Sequence, residues 1–468
     1  MRKILATWLL VLTALMTSGC GFTISPQELY CLPKLPTEYT ELDNRINAIL
    51  SDGAEYAAPI SGSNIQPVQL EDLNGDGQEE AVAFFRNDAD EKPLKICIFT
   101  AKDQTYELSY VIESSGTAIY SISYNDLDGD GNTELIVGWR VTTDLQALVV
   151  YTLKDGEPTE LMRSNYVRYA VTDLDQDQVQ ELVVLRSAEG GDAVADYYTW
   201  QNGGLQLQGS APISITMAEL NQQGRVTAGT LNDGMPALFV TGVEEGLWSV
   251  TDVLASRNGD LTNITLSDAT GVSAEIAPFQ TLYPMDINSD GVTELPRAVS
   301  LPILQENQIA YQRIDWYTYN AQGEATLALS TYHDIEDGWY FLLPESWREE
   351  VMVSRSVDED EACVTFYIQG EQGPEPFMQI TAITGSSRSV KAVRALLDLD
   401  ALKGSKDRSA DIDKTLDDAA KANPWAFGED GAAGVAVVST GAEHGAPPAN
   451  ESNGVEAAFK SLNPELNL

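Results

Sequence analysis

The sequence predicts a mainly β protein whose middle part is built from repeated four-stranded units. An acidic loop with oxygen-bearing side chains at positions 1, 3 and 5 and Glu at position 9 recurs, for the most part, about every 50 residues. An aromatic residue followed by Thr recurs between the loops, and hairpin-closing turns such as Asn202-Gly203 follow several of these pairs. The repeating unit is therefore predicted to be strand, acidic loop, strand, strand, turn, strand.

The composition of the chain excludes several classes of function. Its 468 residues include 71 acidic and 28 basic residues, which gives a formal net charge of -43. Such a chain repels a phosphate backbone and has no compensating basic stripe, so we expect no nucleic-acid partner. Only His333 and His444 are present, which excludes a histidine-rich zinc site and argues against a Ser-His-Asp triad.

The N-terminus has the pattern of an export signal. Arg2 and Lys3 precede an apolar run over residues 4–16, which is too short to span a bilayer as a helix. Small residues then precede Cys20, as in the lipobox of bacterial lipoproteins, whose cysteine is diacylated. We expect residues 1–19 to be a signal peptide and Cys20 to anchor the protein to the outer face of the cell membrane. The alternative is an ordinary cleaved signal with a cysteine here by chance.

Residues 20–60 are predicted to form a tether and one short helix. Three prolines lie between residues 26 and 36, whereas the apolar residues between Thr37 and Leu50 have helical spacing, and Gly53 suits a helix end. The repeats are expected to fill residues 61–336, with five units.

The four clear loops supply a set of candidate metal ligands. Each is expected to contribute side-chain oxygens from positions 1, 3, 5 and 9 and a backbone carbonyl from position 7. In the first two loops the candidates are Asp72, Asn74, Asp76, Gln78 and Glu80, and Asp126, Asp128, Asp130, Asn132 and Glu134. In the other two they are Asp173, Asp175, Asp177, Val179 and Glu181, and Asp286, Asn288, Asp290, Val292 and Glu294.

Alternating oxygen ligands are typical of a loop that wraps a hard cation, and Ca²⁺ takes six to eight oxygens. We therefore predict Ca²⁺ as cofactor, bound at three to four sites. An EF-hand competes with this interpretation, but position 12 is Ala83 or Val137 rather than an acid, and the flanking residues favour strands. A further alternative is that Asp, Asn and Gly serve only as turn residues. The Glu shared at position 9 of all four loops argues against it.

A fifth, degenerate unit is expected between the third and fourth clear loops. Two alignments compete for its loop. The segment Glu219–Gly224 keeps the loop pattern without the charge, whereas Asn232-Asp233-Gly234 precedes an apolar strand. In either alignment the site is expected to hold no ion.

The acidic loop followed by an apolar strand resembles the FG-GAP/VCBS repeat family. Such repeats form β-propeller blades with calcium in the loop between the first two strands, as in the heads of integrin α-subunits. The resemblance implies a β-propeller of about five blades, with six or seven as alternatives, and covers roughly 60% of the chain. The whole arrangement also resembles repeat-bearing lipoproteins of Gram-positive bacteria.

After residue 336 the loop pattern stops. Residues 337–385 are predicted to form a small α+β domain, or one further blade, because residues 339–343, 351–355, 364–368 and 378–383 have strand patterns. Residues 386–468 are poor in aromatic residues and are expected to be a weakly ordered tail.

The sequence contains none of the G-x-S-x-G, P-loop, H-E-x-x-H or C-x-x-C motifs of common enzymes. His333-Asp334 is more typical of an ordinary surface pair than of an acid–base pair. The pairs Tyr197-Tyr198 and Trp316-Tyr317 are expected to pack between strands rather than stack on sugars. We therefore expect a cell-surface protein that binds an unknown protein or glycan ligand, or acts as a scaffold. The alternatives are an extracellular enzyme that acts on polysaccharide through carboxylates, and a structural accessory of an envelope complex.

Overall fold

A computed structural model of the chain describes residues 39–102, 105–154, 157–244, 248–273, 275–278, 282–305, 310–336, 339–358, 361–383, 435–440 and 459–461. The predicted signal peptide, Cys20 and most of the tail lie outside these residues. The described part is mainly β, as predicted, with six sheets of four or five strands. It divides into two compact units: the first contains the first sheet and most of the second, and the other contains the third to sixth sheets. No helix in the described ranges is long and apolar enough to cross a membrane.

A helix and a five-stranded sheet begin the described chain. Helix α1 spans Thr40–Ser51, and Gly53 follows it with a φ of 96°, which a glycine adopts without strain. Its Leu42 and Ile46 are buried in a cluster with Phe85 of the sheet. The strands are β1 (Glu55–Tyr56), β2 (Val68–Glu71), β3 (Glu80–Arg86), β4 (Leu94–Lys102) and β5 (Thr105–Ser114). Their order is β1-β3-β4-β5, and β2 also pairs with β3.

The second and third sheets each contain four strands in chain order. The second comprises β6 (Ala118–Asn125), β7 (Glu134–Arg140), β8 (Gln146–Thr152) and β9 (Thr159–Asn165). The third comprises β10 (Arg168–Thr172), β11 (Glu181–Ser187), β12 (Ala193–Gln201) and β13 (Gly204–Pro212). In both sheets the strand after the acidic loop has five or more consecutive buried residues, because runs such as Leu182-Val183-Val184 are apolar on both faces.

The fourth sheet follows helix α2 (Met217–Gln223). It comprises β14 (Arg225–Thr230), β15 (Pro236–Glu244), β16 (Trp248–Arg257), β17 (Asp260–Asn263) and β18 (Glu275–Pro278). Both β17 and β18 pair with β16. The fifth sheet continues with β19 (Leu295–Ser300), β20 (Gln312–Tyr319), β21 (Ala325–Asp334) and β22 (Trp339–Leu343).

The sixth sheet begins after a 3-10 helix at Glu345–Trp347. It comprises β23 (Met352–Asp358), β24 (Glu361–Gly370), β25 (Gly373–Ile383) and β26 (Val435–Thr440), and a last strand, β27 (Phe459–Ser461), pairs with β22. Two findings differ from the predicted boundaries. Strand β22 belongs to the fifth sheet, and the described residues from 339 to 383 hold strands and a 3-10 turn but no α-helix, so a further sheet describes them better than an α+β domain. Of the predicted tail, only β26 and β27 are described.

The aromatic-Thr pair marks the third strand of the repeat. A shift in strand register accompanies the pair in three sheets, and a tight turn closes the following hairpin in the third sheet, where Asn202 and Gly203 have positive φ. The shifts lie between Ile98 and Phe99, between Tyr197 and Tyr198, and between Trp316 and Tyr317. Tyr197 and Trp316 are buried, which confirms the packing role predicted for them, whereas Tyr198 and Tyr317 are half-buried.

Candidate metal centres

The acidic loops occupy equivalent places in the repeat. The first three join the first two strands of their sheets, β2 to β3, β6 to β7 and β10 to β11. The fourth precedes β19, and the strand before it is reduced to one bridge between Met285 and Glu294. The position-9 glutamates Glu80, Glu134, Glu181 and Glu294 are all at most 3% exposed. Each loop thus ends on a buried carboxylate.

Backbone hydrogen bonds give the four loops one shared frame. In every loop the Oδ2 atom of the first Asp accepts from the backbone N–H of position 6, at 2.8–3.0 Å. The side-chain oxygen of position 3 accepts from the N–H of position 5, at 2.9–3.2 Å. These bonds fold the loop tightly and hold the oxygens of positions 1 and 3 on its inner side.

The position-9 glutamates connect the start of the loop to the following strand by hydrogen bonds. In three loops one carboxylate oxygen accepts from the N–H of position 2, with Leu73 donating to Glu80 at 3.0 Å, Leu174 to Glu181 at 2.7 Å and Ile287 to Glu294 at 3.1 Å. In the first and fourth loops the second oxygen accepts from the amide of position 3. Hydrogen bonds from the loop therefore fix the position of the glutamate carboxylate at its end.

The structure brings the predicted carboxylates together in two loops. Ligand oxygens of Asp173, Asp175, Asp177 and Glu181 lie within 4.8 Å of one another, as do those of Asp126, Asp128 and Asp130. The first and fourth loops have Asn at position 3, so fewer carboxylates meet there. Backbone carbonyls from Gln78, Asn132, Val179 and Val292 stay predictions.

Two features show that these residues fit a cation. The Oδ1 atom of Asp72 is buried and has no hydrogen-bond partner among the described residues, so a lone pair inside the first loop is unused. Burial, and next the neighbouring aspartates, raise the pKa of Glu181 and of Glu294 to about 7, although a backbone N–H lowers each pKa in part. A bound hard cation would offset this repulsion, and oxygen donors alone suit Ca²⁺ or Mg²⁺.

The third loop has non-glycine residues at both positions that adopt positive φ, whereas the fourth loop has one, Ser289, and the first two loops have none. Positions 4 and 6 have positive φ in every loop. In the first two loops both are glycines, but in the third Gln176 and Gln178 have φ values of 64° and 77°. We expect Gln178→Gly to raise the free energy of unfolding by about 0.5–1 kcal/mol, because relief of strain outweighs the added chain entropy. Urea unfolding measures this effect. Exposed Gln222→Gly in helix α2 is the control and should destabilise, and a loss of stability in Gln178→Gly would contradict the strain argument.

The degenerate unit follows the second of the two predicted alignments. Glu219 lies in helix α2, where Thr216 and Glu219 form a capping box, so the alignment over Glu219–Gly224 is wrong. The segment Asn232-Asp233-Gly234 forms the turn between β14 and β15. Asp233 Oδ2 accepts from the N–H of Ala321 at 2.8 Å, so this carboxylate is used for packing.

No protein-family model matches the chain. No curated protein matches it either. Among solved structures it is similar to a Bacteroides fragilis protein assigned as a 6-phosphogluconolactonase, at 8% identity over 68% of this chain and 84% of that one, with a TM-score of 0.25. It is also similar to TolB from Acinetobacter baumannii (12%, 65% and 63%, 0.24) and to AofleA from Arthrobotrys oligospora (9%, 70% and 90%, 0.23). Similarities at these TM-scores establish no shared function, and the fold described above rests on the sheets themselves.

A cavity for which the sequence holds no signal lies at the third sheet. Its volume is about 400 Å³. Its walls include Asn165, Arg186, Glu189, Tyr198 and Leu207. Tyr198 belongs to the repeated aromatic-Thr pair, but the other four residues belong to no repeated motif, and the strand pairing brings all five together.

His333 is buried, so the expectation of an ordinary surface histidine is wrong. Its ring stacks on Tyr340 with centroids 5.2 Å apart, and its Nε2 atom lies 2.6 Å from the hydroxyl of Thr331. Neighbouring side chains of a strand point to opposite faces, so His333 and Asp334 do not form an acid–base pair. Burial lowers the pKa of His333 from 6.5 to about 3.

The buried His333 predicts a pH dependence of stability. The unfolded chain takes up a proton near pH 6.5, whereas the folded chain does so only near pH 3, so acid favours unfolding between these values. We expect this residue to remove up to about 1.4 kcal/mol of stability per pH unit as the pH falls below 6.5. Urea unfolding at pH 7 and at pH 5 should show a smaller loss for His333→Phe than for the wild type. Equal losses in the two proteins would contradict the prediction.

Proposed function

We propose that the protein is a lipid-anchored, calcium-binding β-propeller at the outer face of the cell membrane that binds a ligand or serves as a scaffold. The meeting of the Asp173, Asp175, Asp177 and Glu181 carboxylates in one loop is the observation that carries this proposal. It supports a cation at the loops, as the FG-GAP/VCBS resemblance implies. The ordered succession of four- and five-stranded sheets supports a blade arrangement.

In this proposal calcium makes the display surface rigid rather than taking part in a reaction. Each occupied loop fixes the junction between two strands of one sheet. Segments exposed at the same edge, such as the turns after the third strand, are then held in one geometry for a partner. Preorganisation of this kind lowers the entropic cost of binding.

The anchor is tested by Cys20→Ala in the native host. A diacylated cysteine supplies the two buried chains that stable membrane attachment requires. We expect the wild type to fractionate with membranes and the variant to remain unprocessed or to be released. Cys97→Ala, a change at a buried cysteine of the first sheet, is the control and should leave fractionation unchanged. Unaltered processing and membrane association of Cys20→Ala would overturn the lipid-anchored part of the proposal.

A further inference from the structure

The third and fifth sheets contain the same buried polar pair. Asp196 in β12 and Asp315 in β20 each lie two residues before the Tyr of the aromatic-Thr pair. Each accepts a hydrogen bond from a serine on the following strand, Ser210 at 2.6 Å and Ser330 at 2.5 Å. In each pair the Asp and the Ser are also direct cross-strand partners. The two sheets thus place a buried carboxylate at one equivalent point.

An arginine neutralises each carboxylate, but from a different strand. Arg186 Nε lies 2.5 Å from Asp196 Oδ2, and Arg313 Nε lies 3.0 Å from Asp315 Oδ1. Arg186 stands on β11 opposite Val194, whereas Arg313 stands on β20 opposite Val299. Both sheets thus contain an arginine–valine cross-strand pair at this point, but the arginine is on the earlier strand in the third sheet and on the later strand in the fifth. Because cross-strand partners share a face, both guanidinium groups lie on the same face of their sheets.

The outer sides of the two guanidinium groups differ. Arg313 donates through Nη1 to the backbone carbonyl of Arg348 and through Nη2 to the Glu349 carboxylate at 2.8 Å, and its side chain is 7% exposed. The Arg186 side chain is 26% exposed and lines the cavity. Its Nη1 donates to the carbonyl of Ser187, and its Nη2 has no partner among the described residues.

The fifth sheet thus shows, within the same molecule, that a backbone carbonyl and a carboxylate occupy the outer side of the guanidinium. We propose that the cavity beside Arg186 binds a peptide segment of a partner protein that presents a backbone carbonyl and an acidic side chain to the guanidinium, as Arg348 and Glu349 do for Arg313. This inference rests on the ligand-binding role proposed above. Carboxylates pair with arginine through charge-assisted hydrogen bonds, which gives both affinity and orientation.

The other walls of the cavity suit a short peptide. Leu207 is 50% exposed and, with the ring of Tyr198, offers apolar surface for a side chain. Asn165 is exposed and offers an amide to the peptide backbone. A volume of about 400 Å³ is within the usual range of ligand sites and holds a few residues. Glu189 opposes an acidic ligand, so only a carboxylate in direct contact with Arg186 is favoured.

The test uses ligand-observed NMR titration of the purified protein with acetyl-Gly-Glu-Gly-amide. The matched probe is acetyl-Gly-Gln-Gly-amide, and glucuronate serves as an acidic sugar. We expect a millimolar dissociation constant for the Glu peptide and at least about fivefold weaker binding of the Gln peptide. Equal binding of the two peptides, or no binding of either, would overturn the proposal. Saturable binding of glucuronate without binding of the Glu peptide would overturn it in favour of an acidic sugar.

A variant of the cavity wall locates the binding without disturbing the buried ion pair. Leu207→Glu adds a repelling carboxylate and should weaken binding of the Glu peptide at least about fivefold. Val357→Glu is the control, because Val357 is 60% exposed on β23 and outside the cavity, and it should leave binding unchanged. Equal effects of the two variants would contradict a site in the cavity. Leu207→Glu should keep the stabilisation by Ca²⁺, so loss of peptide binding and failure of the calcium proposal are distinguishable.

Discussion

Removal of Ca²⁺ is expected to lower the free energy of unfolding by roughly 4–6 kcal/mol. Extracellular modules bind Ca²⁺ with dissociation constants of about 0.1–1 mM. At about 1 mM free Ca²⁺ and a constant near 0.1 mM, each occupied site contributes roughly 1.4 kcal/mol, and three to four sites are predicted. Without the cation the carboxylates of Asp173, Asp175 and Asp177 repel one another within a chain whose net charge is -43. Thermal melting with a chelator and with added Ca²⁺ measures the effect.

Loss of one site should remove part of this response. Asp128→Ala with Asp130→Ala eliminates two of the three carboxylates that meet in the second loop, so the calcium-dependent stabilisation should fall by about 1.4 kcal/mol. Asn221→Ala with Gln223→Ala is the control, because these residues lie in or near the exposed end of helix α2 and should leave the calcium response intact. A melting temperature that is indifferent to chelator would leave only the turn-residue explanation of the loops.

The repeated part of the fold was predictable because its signals are local. An acidic loop, a buried strand and a hairpin turn each occupy a few consecutive residues, and their recurrence separates them from chance. The sequence also singled out the position-9 glutamates, and in the structure Glu134 and Glu294 are fully buried. Three exposed or half-exposed loop residues precede each buried glutamate. The glutamates of three loops are buried because their carboxylates accept hydrogen bonds from the start of the loop and so close it.

The parts that were not predicted depend on local competition or on distant pairing. The pattern at Glu219–Gly224 resembles an acidic loop. However, the side chains of Thr216 and Glu219 each accept a hydrogen bond from the other residue's backbone N–H, and this capping box starts a helix instead. Arg186 on β11 and Arg313 on β20 occupy different strands of the repeat but make equivalent ion pairs. The sequence holds no signal for this equivalence, because it becomes visible only once the strand partners are known. The cavity depends on the same non-local pairing.

Asp315→Ala is expected to be more damaging than the equivalent substitution Asp196→Ala. It leaves the Arg313 guanidinium buried with Glu349, an exposed carboxylate, as its remaining acidic partner, and it removes the acceptor for Ser330. Loss of one partner of a buried ion pair costs about 3–5 kcal/mol. Asp196→Ala removes the equivalent carboxylate, but Arg186 can turn into the cavity toward water, so we expect a cost of about 1–3 kcal/mol.

Urea unfolding of the two variants gives the comparison. The difference between them follows mainly from access to water, since both aspartates lie in equivalent positions and both accept from a serine, although Arg313 donates to Asp315 through two nitrogens and Arg186 to Asp196 through one. Asp315→Leu combined with Arg313→Met should recover part of the loss, because an apolar pair of similar volume needs no counter-charge. If Asp196→Ala were as destabilising as Asp315→Ala, the Arg186 guanidinium would not be free to reach water. The claim that the outer side of this guanidinium is open would then be refuted as well, and the proposed peptide site depends on that claim.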